Sequence, residues 1–245
     1  MNKILLILTL IFSSNLSLAE DKIVRLTSLD WPPYSGKSLD QQGASVAVAK
    51  AAFKAMGYQL KVDFFPWSRA VILARDSDSQ YSGYFPEYFS ENIAEEFIYS
   101  DPMGSGPLGF AERKDKSISW TTLADLKSYR IGIVQDYINT AEFDAMIANK
   151  SLKSSVTTSD DKNLKKLVGG RIDLAVVDKN VMNYLFRTLP SLARKANETQ
   201  FNSTLLADKK LFICFKKGSQ GENIAKIYNE GLKKINIAEI MSKHL

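Results

Sequence analysis

The chain has 245 residues, with 32 Lys and Arg against 27 Asp and Glu, for a formal net charge of +5. The basic residues are interspersed with acids, as in Glu112-Arg113-Lys114-Asp115-Lys116 and Asp208-Lys209-Lys210. That pattern reads as solvated surface and argues against a nucleic-acid partner, since no basic stripe is interleaved with aromatics. One Cys, Cys214, and one His, His244, exclude an internal disulfide and leave no material for a Cys/His zinc site or a Ser-His-Asp set.

Residues 1–19 read as a secretory signal: a short positive start at Asn2-Lys3, an apolar core over 4–12 and a small-x-small cleavage site at Ser17-Leu18-Ala19. The apolar run is shorter than the roughly 20 residues a bilayer span needs, so cleavage near Ala19 and no stable membrane insertion are expected. Residues 22–27 alternate polar and apolar as a first strand should. Next comes Ser28-Leu29-Asp30-Trp31-Pro32-Pro33-Tyr34, where two prolines impose a stiff, extended loop. Two readings of this loop are open: a packed surface loop, or a rigid loop presenting Trp31 and Tyr34 to a cleft, where flat rings stack on a ligand.

A helix is predicted over 43–57, ended by Gly57, and a second strand over 59–65. Phe65-Pro66-Trp67 then leads into a helix over 68–76, with Ser68 as its cap. Trp67 thus stands at the carboxyl end of a strand, the edge at which open α/β sheets bind ligands. Arg69 falls in the first helical turn, where the dipole disfavours a cation, so an anionic partner is implied, either a ligand or a protein carboxylate. Tyr84 and Phe85 end a short third strand over 80–85.

The stretch over 97–110 runs from apolar residues into small residues and prolines. It reads as a strap leaving one domain for a second, with Gly104 and Ser105 offering backbone groups to a ligand. A new α/β unit follows: a short helix over 123–128, a strand over 129–134, a loop carrying Tyr137, and a helix to 149 capped by Asn139. A strand over 154–158, a helix over 160–168 and a buried strand over 171–177 come next, with Asp178 at its carboxyl end and a helix to 187. A second strap spans 205–217 and holds Cys214 in an apolar run, as a buried structural thiol. A helix over 222–235 and a short tail helix close the chain, with His244 expected to fray. The element order repeats across the two halves, which argues two α/β units.

With those elements in place, the chain resembles the periplasmic solute-binding proteins of family 3, the polar-amino-acid type. The marks are Trp31-Pro32-Pro33-Tyr34, the 43–57 helix, Phe65-Pro66-Trp67, Tyr99-Ser100-Asp101-Pro102, Ile131-Gly132-Ile133-Val134, the 170–178 segment and the 212–218 strand. The resemblance implies a type II clamshell with two α/β lobes, each a mixed, mostly parallel sheet flanked by helices, joined by two hinge strands. Lobe 1 would comprise 20–108 and 206–245, and lobe 2 would comprise 109–205. It further implies that Trp67 covers the ligand, that Trp31 lies in the loop supplying another ring, that Asp178 pairs with a ligand amino group, and that Tyr137 and Asn139 close from the second lobe. One departure stands out. The family carries a Thr-x-x-Arg whose Arg clamps the ligand carboxylate in bidentate fashion, and ungapped counting places Ile93 there. An apolar side chain cannot supply that fork of donors, and Arg69 is the nearest substitute in the first lobe.

The expected ligand-binding set is therefore Trp31, Tyr34, Trp67, Arg69, Tyr84, Phe85, Gly104, Ser105, Tyr137, Asn139 and Asp178. The expected function is periplasmic binding of a small polar or zwitterionic solute for an ABC importer, by a monomer without cofactor, metal or catalytic residue. Alternatives are a receptor for a membrane sensor, and a dehydratase or lyase whose acid or base would come from Glu87, Glu112 or Asp178.

Overall fold

A computed structural model describes residues 22–245, so the expected signal segment lies outside the described residues. The first half builds β1 (Lys22–Ser28), α1 (Ala44–Ala55), β2 (Tyr58–Phe64), α2 (Trp67–Arg75), β3 (Gly83–Glu87), α3 (Glu91–Glu96), β4 (Phe97–Tyr99) and β5 (Gly104–Arg113). The second half adds β6 (Arg130–Val134), α4 (Ala141–Ala148), β7 (Lys153–Thr157), α5 (Asp160–Val168), β8 (Leu174–Asp178), α6 (Lys179–Thr188), α7 (Pro190–Ala193) and β9 (Thr199–Phe201). The chain then returns through β10 (Ala207–Lys216) to α8 (Ser219–Leu232) and α9 (Ile237–His244).

The strands follow the order β2-β1-β3-β10-β5-β8-β6-β7, with β4 against β10 and β9 against β5. Two parallel blocks, β2-β1-β3 and β7-β6-β8, form the hearts of two lobes. The antiparallel pair of β5 and β10 joins the blocks, in register from Ala207↔Leu108 to Leu211↔Gly104. The two straps read from the sequence are thus long strands laddered to each other. β3 and β8 are buried along their whole length, as strands covered on both faces should be.

In the first lobe, α1 presents a stripe of small residues, and α8 and α9 pack against it. Gly231 of α8 sits so close to the Ala52 carbonyl of α1 that a Cβ would collide with it. The packing of α9 on α1 also corrects the expectation of a frayed end. The His244 side chain is only 10% exposed, and its Nδ1 lies 3.2 Å from Asp40 Oδ2.

Two helix starts differ from expectation. Pro66 precedes α2, whose first residue is Trp67, and the Ser68 hydroxyl donates to Asp136 Oδ2 at 2.5 Å instead of capping its own helix. Thr140, not Asn139, caps α4, accepting from the Phe143 N–H at 3.3 Å. Asn139 instead donates from its backbone N–H and its Nδ2 to Asp144 at 2.8 Å each.

Candidate functional site

The Trp31–Tyr34 loop is fixed by main-chain bonds before any side chain acts. The N–H groups of Ala44 and Ser45, at the start of α1, donate to the carbonyls of Pro33 and Tyr34 at 3.0 and 2.8 Å. Helix-end donors that lack intrahelical partners are thereby satisfied. Gly43 makes the approach possible: its φ is +100°, and a Cβ there would overlap the Pro33 and Tyr34 backbone. Trp31 and Ser35 bridge across the base of the loop. The two rings do not splay toward a ligand. They stack on each other, centroids 4.6 Å apart, with Trp31 at the cleft and Tyr34 fully buried beneath it.

Between the lobes is a small cavity of about 30 Å³, room for about one water. Trp31, Trp67, Tyr88 and Tyr137 wall it with Leu29, Pro86, Ile138 and Leu211, and Glu87 is its single carboxylate among the described residues. Trp67 meets Tyr84 and Tyr137 edge-on at 5.4 and 6.1 Å. The lobes touch directly around this space. The Trp67 indole N–H donates to the Asp136 carbonyl at 3.0 Å. The Tyr34 hydroxyl lies 3.1 and 3.2 Å from the Asp178 carboxylate oxygens and accepts from Asn180 Nδ2 at 2.8 Å. Gly106 of β5 leaves space for that meeting, since a Cβ would overlap both Asp178 and Tyr34.

Three carboxylates are buried here. Glu87 accepts from the Tyr88 N–H at 2.8 Å and from the Tyr84 hydroxyl at 3.2 Å, yet burial pushes its pKa up to about 8. Asp160 opens α5 beside Tyr137 and Trp31, and burial, reinforced by the Asp178 charge, pushes it up to about 7. Asp178 is pushed up to about 6 by burial, which its bonds from the Asn180 and Val181 N–H groups only partly offset. Desolvation disfavours the charged form of each. Glu112, also buried, is different. It accepts from Ser117, the Ile118 N–H, Gln200 and Asn202 and lies outside the cavity, so it is a satisfied structural carboxylate.

Of the residues expected from sequence, Trp31, Trp67 and Tyr137 line the cavity, and Tyr34, Tyr84 and Asp178 support it from behind. The others lie elsewhere. Arg69 is exposed, its guanidinium 5.9 Å from the Phe65 ring centroid. Gly104 and Ser105 line a separate groove with Ile237 and Met241. Asn139 is occupied by Asp144. Phe85 is buried in β3 with its carbonyl accepting from the Ser28 hydroxyl, and Ile93 is half-buried on α3. Among the described residues, no Arg or Lys lines the cavity.

No family model matches the chain, and no curated protein sequence matches it. Solved structures do. A histidine kinase sensor domain with similarity to periplasmic binding proteins superposes with a TM-score of 0.77 at 20% identity, covering 92% of this chain and 96% of that one. An ancestral arginine-binding protein bound to arginine gives 0.73 at 16%, over 90% and 97%. The GluR0 ligand-binding core from Nostoc punctiforme, in complex with L-glutamate, gives 0.71 at 13%, over 90% and 96%. Identities this low speak for architecture alone, and on that level the chain has the two-lobed α/β fold of the periplasmic binding proteins, with its aromatic cavity between the lobes.

Proposed function

We propose that this protein is a secreted binding protein that closes its two lobes around a small polar solute and hands it to a membrane importer. The observation that carries the reading is the aromatic cavity walled from both lobes and bordered by direct bonds between them, Trp67 to Asp136 and Tyr34 to Asp178. A cavity of about 30 Å³ holds no solute as it stands, so binding requires hinge opening and reclosure around the ligand. In this reading lobe 1 spans 20–108 and 206–245, lobe 2 spans 109–205, and the segment over 1–19 is the export signal. The ligand set is Trp31, Trp67, Glu87, Tyr88 and Tyr137, with Tyr34 and Asp178 supporting it from behind.

A second reading rests on the likeness to a sensor domain: the closed form would signal to a membrane receptor instead of delivering cargo. The test of binding itself is a thermal-shift screen of amino acids, amines, small acids and oligosaccharides. A ligand at 100 times its Kd adds about 2.7 kcal/mol of stability. A flat response across all classes refutes both readings. Once a ligand is known, stimulation of a permease ATPase supports import, and stimulation of a kinase supports sensing.

A further inference from the structure

The space between the lobes does not end at the aromatic cavity. A groove of about 570 Å³ lies beside it. Phe89, Ser90 and Glu91 wall it where the chain enters α3, and Ile138, Ala141 and Ala145 wall it ahead of and along α4. Three observations join the two spaces. Ile138 lines both. Tyr88 lines the cavity while its neighbour Phe89 lines the groove. The Lys209 ammonium, 5.1 Å from the Tyr88 ring centroid, is attracted both by Glu87 of the cavity and by Asp144 of the groove.

The two spaces differ in size and in chemistry. The cavity has room for about one water. The groove falls within the roughly 300–1,000 Å³ typical of small-molecule pockets. With the lobes in contact, room for the bulk of a solute therefore lies in the groove. Phe89 is 51% exposed there, with its ring packed on Tyr99 at a centroid distance of 5.1 Å. Ile138 and the α4 alanines add apolar wall. The groove's carboxylates do not close it off: Asp144 accepts from Asn139, and Glu91 is exposed. An apolar segment laid against Phe89 would cover surface that is otherwise left in water, which is favourable in proportion to the area removed.

We infer that the solute is longer than the cavity, with a polar end among the aromatic rings and an apolar chain or ring running past Ile138 into the groove against Phe89. The inference rests on the binding reading above and adds to it the shape of the solute and the chemistry of its tail.

The test uses three straight-chain series, amines, carboxylic acids and primary amides, each from the ethyl to the octyl member. Each compound is titrated into the full secreted chain by calorimetry, beside amino acids and sugars as compact solutes. In at least one series the Kd is expected to fall about fourfold per added CH₂ once the chain outgrows the cavity, the factor that burial of a methylene supplies. Phe89→Ser removes the groove's aromatic wall, and Ala145→Leu fills the groove from the opposite side; both positions are exposed. The readout is the ratio of the Kd of the shortest member that binds to that of the octyl member, which a general loss of stability does not move. Each variant is expected to lower this ratio at least tenfold. Binding of compact solutes alone, a ratio near one in the wild type, or a ratio that either variant leaves unchanged overturns the inference. The binding reading then stands, and the groove is left to a partner protein. If the three series, the amino acids and the sugars all fail to bind, the binding reading falls and this inference with it.

Discussion

Replacing Glu87 with Gln isolates one buried proton. In the folded protein Glu87 is 5% exposed, accepts from the Tyr88 N–H and the Tyr84 hydroxyl, and is only weakly favoured in its charged form by the Lys209 ammonium. Burial nonetheless raises its pKa from 4.5 to about 8. The unfolded chain gives up this proton near pH 4.5, whereas the folded chain keeps it to about pH 8. Between those values the native state binds more protons than the unfolded state, so stability falls as pH rises. At about 1.4 kcal/mol per pH unit, the full interval amounts to at most roughly 5 kcal/mol, and water penetration on ionisation reduces it. Gln is neutral at every pH and keeps the acceptor that Tyr88 uses. Wild type and Glu87→Gln are therefore expected to have similar melting temperatures at pH 5. By pH 9 the variant should be the more stable by about 2–5 kcal/mol, and each kcal/mol corresponds to about 2–4 °C in a protein of this size. The assay is thermal denaturation of both proteins from pH 5 to 9 without ligand. Parallel profiles, separated by a constant offset, would refute the assignment of a buried, protonated Glu87.

Three further outcomes are expected. Gly106→Ala places a methyl group against both Asp178 and Tyr34. It should cost about 1–3 kcal/mol through overpacking and enlarge the radius of gyration measured by X-ray scattering; an unchanged radius with an unchanged melting temperature counts against the direct lobe–lobe contact. Thr140→Ala removes the cap of α4 and should cost about 1 kcal/mol, read from chemical denaturation, with no loss contradicting the assigned helix start. Cys214 is fully buried and burial pushes its thiol pKa up, so thiol reagents should label it only after unfolding, and rapid labelling of the native protein would contradict the packing of β10.

The fold was legible because its periods are strong. The 160–168 helix read from sequence matches α5 residue for residue, and the apolar run before Asp178 is β8, displaced by three residues at its start. The site was legible only in part. Trp67 and Asp178 could be found because each stands where a strand hands over to a helix. Glu87 is named from sequence only as a candidate acid or base beside Glu112, and Tyr88 not at all, because a glutamate after a proline reads as surface until β3 is known to be buried along its whole length. Asp160 looks like an ordinary acidic residue in a first helical turn, and only tertiary packing seals it beside Trp31 and Tyr137. Gly106 carries no local signal that separates it from Gly104, two residues away in the same strand: only tertiary packing brings Asp178 and Tyr34 against the one and Met241 against the other.

The pairing of β5 with β10 has a mechanical consequence. The chain passes between lobes twice, and both passages belong to one antiparallel ladder from Gly104 to Leu108 and from Ala207 to Leu211. Two independent tethers would let the lobes swivel and slide. A laddered strip bends readily across its face but resists torsion and shear, because either would break its rungs. In the hinge motion proposed above, the lobes would therefore be confined to a single arc of approach. Trp67 and Asp136, or Tyr34 and Asp178, would then arrive opposite each other on each closure without a search over orientations. Changes in the loops can then alter what is held without altering how the halves meet.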